Sequence, residues 1–347
     1  MSDRWAGPFS RTRAQDLALE PVWTEIFGKM TAFRQSLVII AAAELGYFDV
    51  IDRPESRDEI AQRLKITPVG AAVIVNALAA LALVEQTGGH YRLRRDVAKL
   101  FRPGSGYDIR YNIVALKKEV DVWSRMAGIL TGRSGRDEDY TRELFDGRIR
   151  WFEGLGLLNR LDHEQILPKL AGYLPPQAEV LDVGGGEGYY AKRLCEETSL
   201  FRIDILDIPT GFSISEEINA DRLAAGRVRH LSGDARELDA DAAYDVVLLN
   251  ELLELFEREE KRSIFQRAAA AVRPGGWLVV TKFPLTRQGT GPGRFPLFSV
   301  RMHMKFTEGY LEADDDVIDW ALADGLSVFE ILRLNRTTMV FQKRQET

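Results

Sequence analysis

The sequence predicts an α/β protein in two main parts, a helical domain with a small hairpin and a doubly wound sheet that finishes in an antiparallel hairpin. Three observations carry this reading. Apolar residues recur at helical spacing through the first third of the chain; short apolar runs alternate with helix-like stretches after Pro175-Pro176; and a glycine-rich turn, Gly184 to Gly188, joins the first of those runs to a helix. A length of 347 residues exceeds the usual reach of one hydrophobic core. The expected segments are therefore 1–105, helical with a hairpin; 106–172, a helical connector; and 173–347, the α/β domain.

From Pro21 to Leu45 the apolar residues follow helical spacing and Gly46 supplies a stop. Such a stripe can close a dimer. Ser56 with Glu59 makes a capping box for the next helix, and Thr67 followed by Pro68 opens another. A strand, a Gly88-Gly89 turn and a second strand follow, which completes the helix–helix–wing order of a winged helix. A helix that reads DNA needs charged or polar side chains, and the stretch from Thr67 to Leu83 has no charged residue. A core or subunit interface is the stronger expectation, and a DNA-binding regulator the weaker one. Between Tyr107 and Leu174 the pattern is helical and aromatic, with Tyr111, Trp123, Phe145, Trp151 and Phe152; most of these are expected in a core and one or two in a substrate pocket.

In the α/β part, AEVLDVG reads as a buried parallel strand, and Gly184, Gly185, Gly186 and Gly188 turn the chain into the helix YYAKRLCEE. The dinucleotide fingerprint would need glycine where Tyr189 stands. What is present is D-x-G-x-G-x-G, beginning at Asp182. The next strand ends at Asp207, placed to accept from ribose hydroxyls. Another leads to the Gly233-Asp234 turn, where a carboxylate can accept from an adenine amino group. YDVVLLN leaves Asn250 at the carboxyl edge of the sheet, where ligands of such folds sit. A helix with an acidic first turn, a Pro-Gly-Gly stop, a fifth strand, a further helix and a hairpin turning at Asn335-Arg336 complete the domain.

Composition is that of an ordinary soluble globular protein, and a net charge of -6 argues against nucleic acid or anionic lipid as partners. No stretch reads as a signal peptide or as ~18 apolar residues in a row, so a cytoplasmic protein without membrane contact is expected. Cys195 has no second cysteine to pair with and no metal-ligand neighbours; a buried structural thiol is expected, and no metal site. His90 reads as a surface residue, His163 and His230 as structural or surface residues.

In LDVGGGEG, ILDIP, SGDA, YDVVLLNELLELF and VRPGGWLVV the chain resembles the small-molecule O-methyltransferases of plants and bacteria. That family pairs a winged-helix-like dimerisation domain with a Rossmann-like domain that binds S-adenosylmethionine, and the resemblance runs from about Leu37 to the end. It implies a homodimer, a small-molecule acceptor in specialised metabolism, and cofactor contacts from Asp182, Gly184, Gly186, Gly188, Asp207, Asp234, Ala235 and Asn250. Asn250 stands where many members carry lysine, and Ala235 where many carry a larger apolar residue. The family's base, a histidine in a His-Asp-Trp run, is replaced: Glu254-Leu255-Phe256 occupy those places. Glu254 becomes the candidate base if apolar neighbours raise its pKa, with His303 as its partner, and carbon, oxygen and nitrogen all remain open as acceptor atoms. The alternative within the family is a cofactor-binding member that performs a reaction other than methyl transfer.

Overall fold

In the first third of the chain, helix ends fall where local chemistry supplies caps. A computed structural model describes residues 19–103, 108–135, 163–198, 202–305 and 310–345. It divides into two compact units, Met1–Lys117 and Lys118–Thr347. In the first unit the single helix expected over Pro21 to Leu45 is two: α1, Glu20–Thr31, and α2, Phe33–Leu45. The reason lies at their junction. The Thr31 hydroxyl donates to the Phe27 carbonyl at 2.8 Å, a back-bond that competes with the regular ladder, and Ala32 N–H turns to Lys29 O. Gly46 caps α2 in the left-handed region, φ +82°.

Together α1 and α2 make a helical run, Glu20–Leu45, that matches a membrane span by length and mean composition alone. Glu20, Glu25, Lys29, Arg34 and Glu44 punctuate it. Its apolar side chains Val22, Trp23, Ile26, Phe27, Met30 and Phe33 are exposed.

The capping box at Ser56 and Glu59 opens α3, Arg57–Leu64, and the Thr67 hydroxyl accepts from Gly70 N–H to open α4, Pro68–Ala80. Helix α4 buries Ala71, Val75 and Leu78, one face of a 3.6-residue period, so this uncharged helix does serve a core. β1, Glu55–Ser56, β2, Val84–Thr87, and β3, His90–Leu93, form an antiparallel sheet in the order β1-β3-β2, turned at Gly88-Gly89 and with His90 exposed.

The second unit is built on seven strands: β4, Glu179–Val183; β5, Arg202–Asp207; β6, Val228–Ser232; β7, Tyr244–Asn250; β8, Val272–Lys282; β9, Leu326–Arg333; and β10, Thr337–Lys343. Their order is β6-β5-β4-β7-β8-β10-β9, parallel except where β10 pairs antiparallel with β8 and β9. Alternation along the strands divides the core in two. Leu181, Val183, Val247 and Leu249 pack with Ile264 and Phe265 of the helix Arg258–Ala271 on one face. Val180, Ile203, Ile205 and Leu248 pack with Leu194 of the helix Tyr189–Glu197 and with Ile166 and Leu170 of the helix over 163–173 on the other. Strand order reverses between β4 and β7, and the carboxyl ends of strands at such a reversal are where folds of this kind bind ligands.

Two details differ from the sequence reading. Pro274-Gly275-Gly276 does not separate helix from strand: β8 begins at Val272, directly after the helix, and absorbs these residues with a register shift opposite Tyr244 and Val246. The terminal turn takes Leu334 as well as Asn335-Arg336, because Leu334 N–H donates to Arg336 O. Cys195 is buried, and burial pushes its thiol pKa up. Of the connector aromatics, Trp123 is partly buried, while Phe145, Trp151, Phe152 and the side chain of Tyr111 lie outside the described residues.

Candidate functional site

The turn after β4 is built by backbone that only glycine adopts easily. Gly184, Gly186 and Gly188 have φ of +70°, +49° and +71°. A Cβ at Gly184 would lie 2.6 Å from Leu252 Cδ1, and one at Gly188 would lie 2.3 Å from Ser215 Oγ. At Gly186 the same atom would meet nothing nearer than Asp207 Oδ2 at 3.9 Å, an ordinary van der Waals contact. Asp207, at the end of β5, holds the loop: Oδ2 accepts from Gly186 N–H at 2.8 Å and Oδ1 from Ile208 N–H at 2.7 Å. The last glycine is anchored by Asn219, whose amide donates to Gly188 O and to Ser215 Oγ, while Ser215 bonds His230. His230 thus has the structural place expected of it.

Beneath the loop, Asp182 is 1% exposed and its Oδ1 has no hydrogen-bond partner. Burial, then the charges of Asp207 and Glu187, push its carboxyl up to about 7, with Asn250 opposing. Both polar atoms of the Asn250 side chain are likewise buried without a partner. Unsatisfied groups of this kind, under a glycine loop at a strand-order reversal, fit a polar ligand such as a nucleoside. Asp234 is in a different state: its carboxylate grips the Arg236 guanidinium and accepts from Arg236 N–H, which holds its pKa low. Ala235 is buried at the start of the following turn.

Glu254 lies in the turn Leu253–Leu255 after β7 and is 4% exposed. Oε1 accepts from Phe283 N–H at 3.1 Å; Oε2 is buried with no hydrogen bond. Burial raises its pKa, with Lys282 the main opposing charge. Lys282, also buried, donates to Asp314 Oδ1 and Phe283 O. His303 sits on the helix Phe295–Lys305, which packs Phe295, Phe298 and Met302 around Leu255 and Phe283. The helix is beside the Glu254 turn; no hydrogen bond joins the two side chains. Among the described residues no group of three His, Cys, Asp or Glu is set to hold a metal.

The same edge carries residues that sequence reasoning passed over. Glu251 adopts φ +48°, strained for a side chain of its size, and its carboxylate takes a bond from Arg336 Nε at 2.8 Å. Burial alone would raise its pKa; His163 and Arg336 outweigh it and keep the group below the ordinary carboxylate range. The Arg336 guanidinium lies over the Phe283 ring, 3.8 Å from its centre, and His163 lies against Tyr190. His163 is therefore a buried residue of the site edge. Only the acid–histidine–arginine chemistry hinted at this, because the three positions are far apart in the chain.

Residues 180–276 match the methyltransferase domain family. The chain is 25% identical to the 3-hydroxy-5-methyl-1-naphthoate 3-O-methyltransferase of Streptomyces sahachiroi, over 87% of this chain and 89% of that one. Its fold superposes on an O-methyltransferase family protein from Burkholderia thailandensis with TM-score 0.79 at 22% identity, over 93% and 98% of the two chains. It superposes on human N-acetylserotonin methyltransferase in complex with S-adenosylmethionine with TM-score 0.76 at 19% identity, over 97% and 99%. The chain is an S-adenosylmethionine-dependent methyltransferase, related to the small-molecule O-methyltransferases.

Proposed function

We propose that this enzyme methylates a small molecule of specialised metabolism and that Glu254 removes the acceptor's proton. The observation that carries the reading is the buried, unpartnered Oε2 of Glu254, one residue from the apolar cluster of Leu255, Phe283, Phe298 and Met302. A carboxylate held by one backbone N–H, with its second oxygen unsatisfied and its pKa raised by burial, is suited to take a proton. The bound cofactor supplies an electrophilic methyl group. Asp182, the Gly184–Gly188 loop, Asp207 and Asn250 would hold it, with Asp234 and Ala235 beside the adenine.

Replacing the family's histidine by Glu254 favours a carbon acid or another nucleophile over a phenol deprotonated by imidazole. His303, on the helix that packs beside the Glu254 turn, would hydrogen-bond the charge that develops on the acceptor. Release of S-adenosylhomocysteine, measured with enolisable ketones, phenols and amines as acceptors, tests the reading. Glu254→Gln should lower turnover by on the order of a hundredfold while leaving cofactor affinity unchanged. An unchanged rate removes Glu254 from the chemistry, and cofactor binding without release for any acceptor points to a reaction other than methyl transfer.

The exposed apolar face of α1 and α2 supports a homodimer, since Trp23, Ile26, Phe27 and Met30 would leave water in a self-association. Light scattering should give twice the 39.2 kDa chain mass. A monomer that partitions onto lipid vesicles would instead assign that face to a membrane surface.

A further inference from the structure

Lys282 ends β8 in the run Leu278–Lys282, which is buried throughout. An ammonium group in such a place has lost its water and must be paired. Its Nζ donates to Asp314 Oδ1 at 2.8 Å and to Phe283 O at 2.7 Å. Asp314 is itself held, since Oδ1 accepts from Leu285 N–H at 3.2 Å and Oδ2 from the Thr337 hydroxyl at 2.9 Å. Phe283 is held at both of its main-chain polar groups: its carbonyl accepts from Lys282, and its N–H donates to Glu254 Oε1 at 3.1 Å. One residue thus joins the buried cation to the buried carboxylate.

An ion pair this deep adds little to stability over apolar side chains of the same size. Its effect on Glu254 is larger. Burial drives that carboxyl towards the protonated form, in which it can take no proton. The charges around it come from every element packed against its turn, and most are engaged elsewhere. Glu251, at the end of β7's own turn, is tied to Arg336, which lies over Phe283. Lys261, on the helix Arg258–Ala271, feels Glu254 but donates to Tyr310 O and stands 3.7 Å from Glu312. On the helix Phe295–Lys305, Arg301 pairs with Glu119, and His303 makes no hydrogen bond to Glu254. Lys282 is the main charge opposing the effect of burial, and Asp314 is the anion that tempers it.

We propose that Lys282 is a positioning residue for the base: its ammonium group favours the ionised carboxylate of Glu254 and, through Phe283, fixes the direction in which that carboxylate is held, while Asp314 sets the strength of the cation. Lys282 acts through Glu254 and touches no reactant. The proposal rests on Glu254 as the base, and its test separates the two.

Release of S-adenosylhomocysteine would be followed against pH at saturating cofactor, with whichever ketone, phenol or amine turns over fastest. In the wild type the rate should rise with pH to a plateau. Lys282→Met should move that rising limb upward by about one pH unit or more, a loss of about tenfold in rate on its acidic side, and leave S-adenosylhomocysteine affinity within about twofold. Asp314→Asn keeps the cation and removes its partner, so it should move the limb downward. The opposite sign of the two shifts keeps the question answerable even where the methionine variant does not fold. A structural role for the pair would lower the plateau and leave the limb in place. That result for either variant overturns the proposal, as does an upward shift in Asp314→Asn. A limb that survives Glu254→Gln instead removes the base itself.

Discussion

Two turns leave the same sheet side by side, one after β4 and one after β7, and they are built in opposite ways. The β4 turn is made of glycines, and the bonds that hold it are short-range in space: Gly184 N–H to Leu206 O and Gly186 N–H to Asp207. The β7 turn carries Glu251 in a conformation suited to glycine and a buried Glu254, each held from distant parts of the chain: Arg336 and Phe283. A glycine turn is cheap to fold and leaves room for a ligand. A turn of buried acids is costly, and is retained only where the surrounding structure over-determines it. The contrast fits the proposed division, with binding at the first turn and chemistry at the second.

The largest effect that can break this division is the pH dependence of turnover. A base must be ionised, so activity should rise with pH through the pKa of Glu254, which burial places above the ordinary carboxylate range, and then level off. Glu254→Gln should abolish that limb and lower the plateau by roughly a hundredfold or more. Persistence of the limb in the variant would move the base to another group.

The β4 side should show its own titration, in stability rather than rate. Asp182 has a folded-state pKa of about 7 against an ordinary value of 3.8. A raised pKa means that the folded state holds the proton more tightly than the unfolded chain. Its contribution is complete below pH 4 and lost as pH rises through 7. Asp182→Asn cannot ionise. Thermal melts should therefore show the variant gaining on the wild type between pH 4 and 8, by on the order of a few kcal/mol. A difference that is flat with pH would mean that Asp182 titrates as an exposed acid does.

Asp207 gives a smaller effect, confined to binding. Asp207→Ala removes both a ligand acceptor and the anchor of Gly186 N–H. Affinity for S-adenosylhomocysteine should fall by about 1–3 kcal/mol, with turnover at saturating cofactor nearly unchanged. A loss of turnover at saturation would show that the two turns are not separable.

The two turns were also unequally legible in the sequence. Glycine spacing, caps and apolar runs are local, so the strand ends at Val183, Asp207 and Asn250, the boxes at Ser56 and Thr67, and the parallel sheet followed from them. Burial and long-range pairing are not local. Nothing near Glu251 announces Arg336, and nothing near His163 announces its place against Tyr190. The break at Thr31 escaped because one hydroxyl back-bond decided it against a continuous apolar stripe.

A paired substitution sharpens the comparison most, since it uses a place where the two turns come close. Gly184 and Gly186 both have positive φ, so alanine at either should cost about 1–2 kcal/mol of backbone strain. They differ in what alanine would meet. At Gly186 the methyl group would meet only ordinary van der Waals contacts, so the chain should fold with only the strain cost, while S-adenosylhomocysteine should lose affinity because the methyl group stands beside Asp207, its proposed ribose acceptor. At Gly184 the methyl group would come within 2.6 Å of Leu252, which precedes the Leu253–Leu255 turn carrying Glu254. Leu252 must then shift, adding an overpacking cost of about 1–3 kcal/mol and displacing the carboxylate. Gly184→Ala should accordingly lose stability beyond Gly186→Ala and lower turnover at saturating cofactor, which Gly186→Ala should not. Identical behaviour of the two variants would mean that Leu252 moves freely and that the β4 and β7 turns are mechanically independent.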